Sequence, residues 1–503
     1  MKLEDVLQKH FNYSSFRIGQ KEIISSILDG KHTIAMLPTG TGKSLCYQLP
    51  GYLLKGKIVI VSPLLSLMQD QVEQMMMNGE KRVIALNSFL SHEEKYQALH
   101  QLSKYKFIFL SPEMLRSDQV MNKLKEIGID LFVIDEAHCI SQWGYDFRPD
   151  YNKLGEIRER LGSPLTLALT ATATPEVKDD IITSLKIGEW EEFIYSVDRP
   201  NISLIVESIR TYKEKTERLV ELITSLEGPG IIYFSSKKLS EQMVSLFKER
   251  GFSKVAAYHG GLEQETRILI QQQFIQGQLD VICATSAFGM GINKDNIRYV
   301  IHFHMPLQLE SYLQEIGRAG RDGKQSLALL LYSPGDEQLP NQLVEGELPS
   351  DAQLDWLYKW LMEHREALNN LSLFESEIKR VSGFTDNQWR MVEAFLQCNN
   401  GAHIEKTIDQ LKKFINERML IKLNKIQEMY RWTQLTECRR KKILNYFNEE
   451  KTIEMKNCCD CCGVDYSEFY SFITKEPSIK IESSFHWKNH LAEILLSERK
   501  NEE

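Results

Sequence analysis

The feature that most constrains the fold is a series of short apolar segments separated by polar loops and amphipathic stretches. Six segments precede Tyr195: HTIAML, KIVIVS, RVIAL, KFIFLS, DLFVIDE and TLALTAT. Five more lie between about Pro200 and Ser333: GIIYFSS, KVAAYH, DVICATS, YVIHF and LALLLYS. This pattern is typical of buried parallel strands joined by crossover helices. The sequence therefore predicts two parallel α/β sheets in tandem, with a ligand crevice at the carboxyl ends of their strands.

Composition supports a multidomain globular protein. The chain has 503 residues, too many for one compact core, with 42% hydrophobic and 26% charged residues. No uncharged apolar run is long enough to span a bilayer, which predicts a cytoplasmic protein without a membrane segment. The net charge of −8 gives no global sign of nucleic-acid binding. Residues 431–456 are nevertheless basic, which fits either a nucleic-acid groove or a solvated helix face.

Two motifs in the first block indicate a nucleotide site. The stretch LPTGTGKS, 37–44, is a glycine-rich loop after an apolar strand. Such a loop directs backbone N–H groups at phosphates, while its lysine reaches the β/γ oxygens and its hydroxyl binds Mg²⁺. The predicted phosphate-binding residues are Thr39, Gly40, Thr41, Gly42, Lys43 and Ser44. A glycine-rich turn that binds no ligand is the alternative.

The second motif is the acidic end of the strand LFVIDEAH, 131–138. Asp135 is predicted to hold Mg²⁺ through water, and Glu136 to polarise the attacking water. In the second block, QEIGRAGRDG carries Arg318 and Arg321, which we expect on one helical face. Arginines delivered across a cleft stabilise transition-state charge, although such a pair also occurs on solvated faces.

In chain order these motifs resemble those of superfamily 2 helicases, and more specifically the RecQ family of ATP-dependent DNA helicases. The resemblance runs from about Leu7 to Gly463 and implies two RecA-like domains that bind ATP and Mg²⁺. It also implies that Tyr13 and Arg17 lie around the adenine base and that Gln20 hydrogen-bonds its edge. The segments that carry it are FNYSSFRIGQ, PTGTGKSLCYQLP, SPLLSLMQDQ, DEAH, ALTATAT, ATSAFGMGIN and SYLQEIGRAGRDG.

The most discriminating segment is CISQWGYDFRPDY, 139–151, which follows DEAH. Aromatic side chains beside a cation suit stacking against unpaired bases, although they also close loops by packing. The segment is similar to the aromatic-rich loop by which RecQ enzymes couple DNA contact to ATP hydrolysis. This resemblance implies that Trp143, Phe147 and Arg148 bind DNA and that His138 takes part in the coupling.

After Ser333 the strand pattern gives way to helical periodicity. The stretch ERMLIKLNK follows an amphipathic segment and looks like a helix ending in a short strand. Residues of about 374–425 are therefore expected to form either a winged-helix-like module or a helical spacer.

Five cysteines near the C-terminus have three possible uses: a disulfide knot, a redox pair or a metal site. Cys438 lies on a basic helix, and KNCCDCCG follows about twenty residues later. This spacing, without a thioredoxin-like context, favours a Cys₄ zinc site in a cytosolic chain. The helix resembles the first zinc-ligand helix of RecQ proteins. The predicted zinc ligands are Cys438, Cys458, Cys459 and Cys462, with Cys461 as the alternate to Cys458.

The predicted organisation is a short form of the family without a C-terminal HRDC domain, whose tail forms one terminal helix. Its expected parts are a first RecA-like domain (1–198), a second (199–340), a helical module (341–430), a zinc-binding segment (431–465) and a tail (466–503).

The resemblance implies a 3′-to-5′ DNA helicase that translocates on single-stranded DNA and unwinds tailed or forked duplexes in recombination or repair. We expect a monomer in the bacterial cytoplasm or nucleoid, with single-stranded-DNA-binding or repair proteins as partners. The alternatives are a translocase that unwinds weakly, an RNA helicase, and a non-catalytic nucleic-acid-binding scaffold.

Overall fold

The structure is a computed structural model. It describes residues 2–63, 65–87, 90–141, 149–288, 294–398, 404–451 and 454–470.

The first α/β block forms a seven-stranded sheet in the order β3-β4-β2-β5-β6-β1-β7, and all its strand pairs are parallel. Its central strands are buried along almost their whole length, which explains their unbroken apolar sequence. The strands are β1 (Thr33–Met36), β2 (Lys57–Val61), β3 (Val83–Leu86), β4 (Phe107–Leu110), β5 (Ile129–Ile134), β6 (Leu165–Thr170) and β7 (Glu191–Ile194).

Helices cover both faces of this sheet, and local signals set several of their ends. A capping box at α5 joins the Ser91 hydroxyl to the Glu94 amide, while the Glu94 carboxylate accepts from the Ser91 amide. The helices are α1 (Leu3–Phe11), α2 (Gln20–Leu28), α3 (Leu45–Leu53), α4 (Leu65–Met77), α5 (His92–His100), α6 (Asp118–Ile127), α7 (Leu154–Arg160) and α8 (Pro175–Leu185).

The second block forms a six-stranded parallel sheet in the order β10-β11-β9-β12-β13-β8. Its strands are β8 (Ile202–Ser208), β9 (Gly230–Tyr233), β10 (Val255–Tyr258), β11 (Val281–Ala284), β12 (Tyr299–His302) and β13 (Ser326–Tyr332). The helices that accompany them are α9 (Tyr212–Ser225), α10 (Lys237–Glu249), α11 (Gln264–Ile275) and α12 (Leu309–Ile316). The two tandem parallel sheets predicted from the sequence are thus confirmed, and β7 and β8 are additional to the predicted strands.

The remainder of the described chain is helical. It contains α13 (Gln338–Glu347), α14 (Asp351–Glu363), α15 (Glu375–Ser382), α16 (Asp386–Cys398), α17 (Ile404–Thr433) and α18 (Arg439–Tyr446). Trp360 and Trp389 are buried in one cluster with residues of α17.

The expected helix-then-strand at ERMLIKLNK is wrong, because α17 continues through it as a single helix of 30 residues. Buried side chains at Ile408, Leu411, Ile415 and Arg418 recur every three or four residues, and this buried face of the helix continues at Ile421 within the apolar run MLI. No strand occurs among the described residues of 341–430. The expectation of a winged-helix-like module is therefore wrong, and the alternative of a helical spacer describes this region. The predicted terminal helix falls in 471–503, outside the described residues.

Within the described residues, no helix combines the length and the apolar character needed to cross a membrane.

Candidate nucleotide cleft and metal centre

The phosphate loop connects β1 to α3, as the sequence predicts. Gly40 and Gly42 both have positive φ, 91° and 78°, a conformation that side chains with a Cβ rarely adopt. The Thr41 hydroxyl donates to the Pro38 carbonyl at 2.8 Å, which closes the turn. Because α3 begins at Leu45, its N-terminal amides lie next to the loop, where a helix favours anions.

The three residues predicted around adenine line the same cleft as this loop. Gln20 Nε2 donates to the carbonyls of Thr41 and Gly42 at 2.7 and 3.1 Å. Arg17 donates through Nη1 to the Gly40 carbonyl at 2.6 Å and through its main-chain N–H to Gln20 Oε1 at 2.9 Å. Tyr13 is 51% exposed at the rim. Two of the three residues thus hold the phosphate loop directly.

The two carboxylates follow β5 and are buried beneath the loop. Lys43 Nζ lies 3.8 Å from Glu136 Oε1. Burial and the neighbouring Glu136 charge raise the pKa of Asp135 above its usual range, against the opposing effect of Lys43. Glu136 adopts a left-handed backbone conformation, φ 49° and ψ 49°, which is unfavourable for a non-glycine residue. Strain of this kind is characteristic of functional sites.

His138 links this acidic strand end to β6. Its Nδ1 lies 3.4 Å from Glu136 Oε2 and 2.9 Å from the Thr170 hydroxyl, which donates to the Thr172 carbonyl at 3.1 Å. His138 is only 1% exposed, so it contacts both strand ends from within the protein. The predicted DNA-binding residues Trp143, Phe147 and Arg148 lie outside the described residues.

The second sheet supplies two arginines to the cleft. Arg318 and Arg321 were expected on a helical face, but α12 ends at Ile316 and both follow it in a turn. Gly317 is the C-cap residue of α12, and Gly320, with a φ of 57° and a hypothetical Cβ only 2.4 Å from Asn201 Nδ2, allows the turn that follows. Burial and the charges of Arg318 and Arg199 lower the pKa of Arg321 to about 9.

These groups converge on one cleft of about 430 Å³ between the two sheets. A volume in this range suits a nucleotide-sized ligand. Close packing joins the two walls, since a Cβ at Gly40 would lie only 2.8 Å from Arg321 Cγ. The predicted site residues that line this cleft are Tyr13, Arg17, Gln20, Thr39, Gly40, Gly42, Lys43, Ser44, Asp135, Glu136, Arg318 and Arg321.

Sequence reasoning missed Arg199, which lies between the walls. Its Nη1 donates to the Thr39 carbonyl at 2.8 Å and to the Gly317 carbonyl at 3.1 Å. These acceptors are main-chain atoms, so the only signal in the sequence was the presence of a cation at the domain boundary.

The cysteine cluster is formed by the N-terminus of α18 and the turn at Asp460–Cys462. The four predicted ligands Cys438, Cys458, Cys459 and Cys462 place their sulfurs within 4.8 Å of one another. The Cys438–Cys458 and Cys459–Cys462 sulfurs are 3.8 and 3.5 Å apart, too far for disulfide bonds of about 2.05 Å. Four thiolates about 2.3 Å from a tetrahedral zinc ion would lie about 3.8 Å apart, so these residues fit zinc.

Cys461 is directed elsewhere. Its sulfur lies 3.6 Å from the Leu435 carbonyl oxygen, and it belongs to a second group, with Asp460 and the shared Cys459. The Asp460 carboxylate accepts two bonds from Arg439, from Nε at 2.6 Å and from Nη2 at 2.8 Å. This ion pair fixes the cysteine turn against α18.

Comparisons with known families match three parts of the chain. A DEAD/DEAH box helicase model matches residues 17–180, a helicase conserved C-terminal domain model matches 214–323, and a RecQ zinc-binding model matches 403–463. The first two contain the walls of the cleft, and the third contains the cysteine cluster.

The chain is 47% identical over 468 residues to the probable ATP-dependent DNA helicase RecS of Bacillus subtilis (strain 168), with 93% of each protein covered. It is 38% identical over 386 residues to the ATP-dependent DNA helicase RecQ of Haemophilus influenzae, a match that covers 76% of this chain and 59% of that protein. The chain thus spans nearly all of RecS but less than two thirds of this RecQ protein.

Among solved structures, the DNA-bound DUF1998 helicase MrfA has a TM-score of 0.57 and 18% identity, over 68% of this chain and 52% of that one. This likeness concerns the fold alone. The family is shown by the identity to RecS over nearly the whole of both proteins, together with the zinc-binding match: the chain belongs to the RecQ family of ATP-dependent DNA helicases.

Proposed function

We propose that this chain hydrolyses ATP in the cleft between its two sheets and uses the cycle to translocate 3′ to 5′ on single-stranded DNA and unwind duplex DNA. The observation that carries the proposal is the convergence on one cleft of Lys43 and Glu136 from the first sheet and Arg318 and Arg321 from the second. A site divided between two domains changes when they move, which is how hydrolysis can be converted into movement.

In this proposal the loop from Thr39 to Ser44 holds the phosphates of ATP, and Lys43 neutralises their charge. Ser44 and Asp135 would hold Mg²⁺, which supplies further charge neutralisation at the phosphates. Glu136 accepts a hydrogen bond from the attacking water and orients it towards the terminal phosphate. The 3.8 Å approach of Lys43 Nζ to Glu136 Oε1 supports these roles, because both groups face the same space.

The two arginines act as the second wall of the site. Arg318 and Arg321 stabilise the negative charge that develops on the transferred phosphoryl group. Their removal from the phosphates when the cleft reopens releases the products. The close approach of Arg321 to Gly40 supports this role, because it brings the arginine side chain against the phosphate loop.

The proposed link to DNA runs through His138. Its contacts with Glu136 and Thr170 offer a route from the hydrolytic carboxylate to β6, whose last residues begin the segment ALTATAT. Trp143, Phe147 and Arg148 are proposed to contact the DNA. Zinc held by the cysteine cluster has a structural role, ordering the segment that packs against the second sheet.

The proposed substrates are single-stranded, tailed and forked DNA in recombination or repair, where single-stranded-DNA-binding or repair proteins would be partners. The names of RecS and of the RecQ protein, both from bacteria, support DNA as the substrate. We propose that the chain works as a monomer in the bacterial cytoplasm or nucleoid.

Strand displacement on duplexes with a 3′ or a 5′ single-stranded tail tests the proposal. We expect ATP-dependent displacement of the 3′-tailed duplex only, together with ATPase activity that single-stranded DNA stimulates and RNA does not. Displacement from the 5′ tail would contradict the direction, and stimulation by RNA alone would favour an RNA helicase. DNA-stimulated ATPase without displacement would indicate a translocase, and absence of ATPase would contradict the enzymatic proposal.

A further inference from the structure

The segment that joins the two sheets lies against the mouth of the nucleotide cleft. Strand β7 ends at Ile194 and β8 begins at Ile202, so Arg199 belongs to the connection between them. Its guanidinium reaches four main-chain carbonyl oxygens. Nη1 donates to Thr39 at 2.8 Å and to Gly317 at 3.1 Å. Nη2 donates to Ala319 at 3.0 Å and to Gly320 at 2.8 Å.

These four acceptors come from both walls of the cleft. Thr39 belongs to the phosphate loop, whereas the other three carbonyls belong to the turn that carries Arg318 and Arg321. A guanidinium has several N–H donors in one rigid plane, so a single side chain can bridge two backbone segments while the cleft is closed. The walls are already in contact, since a Cβ at Gly317 would lie 2.9 Å from Thr39 Cβ.

The zinc-binding segment, residues 431–465, holds the backbone from which Arg199 extends. The Arg440 guanidinium donates to the Asp198 carboxylate, to the Arg199 carbonyl at 3.1 Å and to the Ile202 carbonyl. Arg440 is 3% exposed, so these bonds form in a protected environment.

The zinc-binding segment also contacts the connection just before Asp198 in the chain. The Glu449 carboxylate accepts from the Val197 amide at 3.0 Å and from the Ser196 hydroxyl. The connection is thus held on one side by the zinc-binding segment and reaches both cleft walls on the other.

We propose that Arg199 is a positioning residue that sets the separation between the phosphate loop and the turn of Arg318 and Arg321, and that Arg440 acts on the cleft by fixing the backbone of Arg199. The proposal rests on the proposed hydrolysis of ATP in this cleft. Arg199 is not among the residues that line the nucleotide cleft, so it acts through the groups that do.

This arrangement predicts a specific kinetic signature. Loss of the Arg199 contacts leaves the nucleotide-binding side chains in place but allows the arginine turn to shift relative to the phosphates. Misplacement of a catalytic group by about 1 Å can cost roughly 10²-fold in rate. We therefore expect kcat to fall by about 10- to 100-fold, with a change in the KM for ATP of less than about threefold.

The experiment compares Arg199→Gln and Arg199→Lys with a matched control, Arg250→Gln, which changes an exposed arginine at the end of α10. DNA-stimulated kcat, the KM for ATP, zinc content and thermal melting are measured on the full chain. Arg199→Lys should recover part of the lost kcat, because an ammonium group reaches some of the carbonyls but cannot span all four. Zinc content should match the wild type throughout.

Wild-type kcat in Arg199→Gln, or a loss confined to KM, would overturn the positioning role. If the Gln variant melts early, the Lys variant decides: reduced kcat with normal melting supports the role, and unchanged kcat overturns it. An inactive wild type would instead overturn the proposed function, and the inference with it. The two failures are therefore distinguishable.

A double-mutant cycle tests the contribution of Arg440. We expect Arg440→Gln to lower kcat by about fivefold in the wild-type background and to have little further effect in Arg199→Gln, because residues that act through one contact are not additive. Equal losses in both backgrounds would overturn the action of Arg440 through Arg199. A parallel loss of zinc in Arg440→Gln would also overturn it, by assigning the effect to the metal centre.

Discussion

The nucleotide cleft and the cysteine cluster differ most in how widely their residues are spread along the chain. The cleft combines side chains from Tyr13 to Arg321 and forms only when the two sheets lie correctly against each other. The cluster needs only Cys438 and a turn some twenty residues later. A metal bound by nearby ligands can organise a short segment, whereas the cleft depends on interdomain contacts such as those of Arg199.

The two sites also differ in their expected contribution to stability. The cleft contains a left-handed Glu136 and the crowded arginines Arg318 and Arg321, arrangements that oppose folding. The cluster is expected to stabilise its surroundings once zinc is bound. Damage to the cleft should therefore appear in turnover, and damage to the cluster in folding.

The largest effect should come from removing a zinc ligand. Cys458→Ser is expected to lose the bound zinc and much of the order of residues 431–465, because structural zinc contributes roughly 10 kcal/mol or more of apparent free energy in small modules. Cys461→Ser is the matched control and should retain about one zinc ion per chain, since its sulfur is not one of the four that lie together. Zinc quantification with thermal melting makes the measurement. The opposite pattern would make Cys461 the ligand and Cys458 the spare.

The next effect concerns the cleft alone. Lys43→Ala should lower DNA-stimulated ATPase by about 10³-fold, equivalent to about 4 kcal/mol in the barrier, because the phosphates lose their principal cation. DNA affinity, zinc content and melting should remain close to the wild type. Lys81→Ala, which changes an exposed lysine of the same domain, serves as the control. A wild-type ATPase rate in Lys43→Ala would show that the phosphate loop does not take part in the nucleotide site.

Much of the fold and of the candidate site could be predicted, because catalytic chemistry and burial leave local patterns in the sequence. The six predicted strands of the first sheet correspond to β1–β6, whose burial excludes polar side chains along most of their length. Strand β7 was missed because EEFI alternates between half-buried and exposed positions at the edge of the sheet. Strand β8 lies at the edge of the other sheet. In both cases the neighbours that define the strand are distant in sequence.

The arginines illustrate a second limit. The sequence identified Arg318 and Arg321 but placed them on a helix. The apolar periodicity of α12 continues up to these residues, and no proline interrupts it. It did not identify Arg199, whose partners are carbonyl oxygens that every residue possesses. The choice between Cys458 and Cys461 likewise depends on the direction of two side chains within one turn, which spacing does not specify.

A smaller effect should come from the ion pair that holds the cysteine turn. Asp460→Asn removes the charge that pairs with Arg439, a residue only 4% exposed. Breaking a buried pair from one side leaves an uncompensated charge. We expect the free energy of unfolding to fall by about 2 to 3 kcal/mol, somewhat less than a full deletion because Asn retains one acceptor. Chemical denaturation in excess zinc measures it, with exposed Glu454→Gln as the control. Equal stability of the two variants would show that the cysteines hold the turn without the ion pair.

The smallest effect tests whether the cleft wall opposes folding. Asp70 lies on α4, which lines the cleft through Gln71, and burial, reinforced by Glu73, raises the pKa of Asp70 to about 7. The folded chain then binds this proton more tightly than the unfolded chain, so stability falls as pH rises from about 4 to about 7. Asp70→Asn should recover part of that loss, adding about 1 kcal/mol at pH 8 and less at pH 5, because the half-buried carboxylate is partly screened by water. Melting at both pH values measures the difference, with exposed Asp179→Asn as the control. A stabilisation equal at both pH values would mean that the charge of Asp70 does not oppose folding and that the contrast with the cluster rests on Glu136 and the arginines.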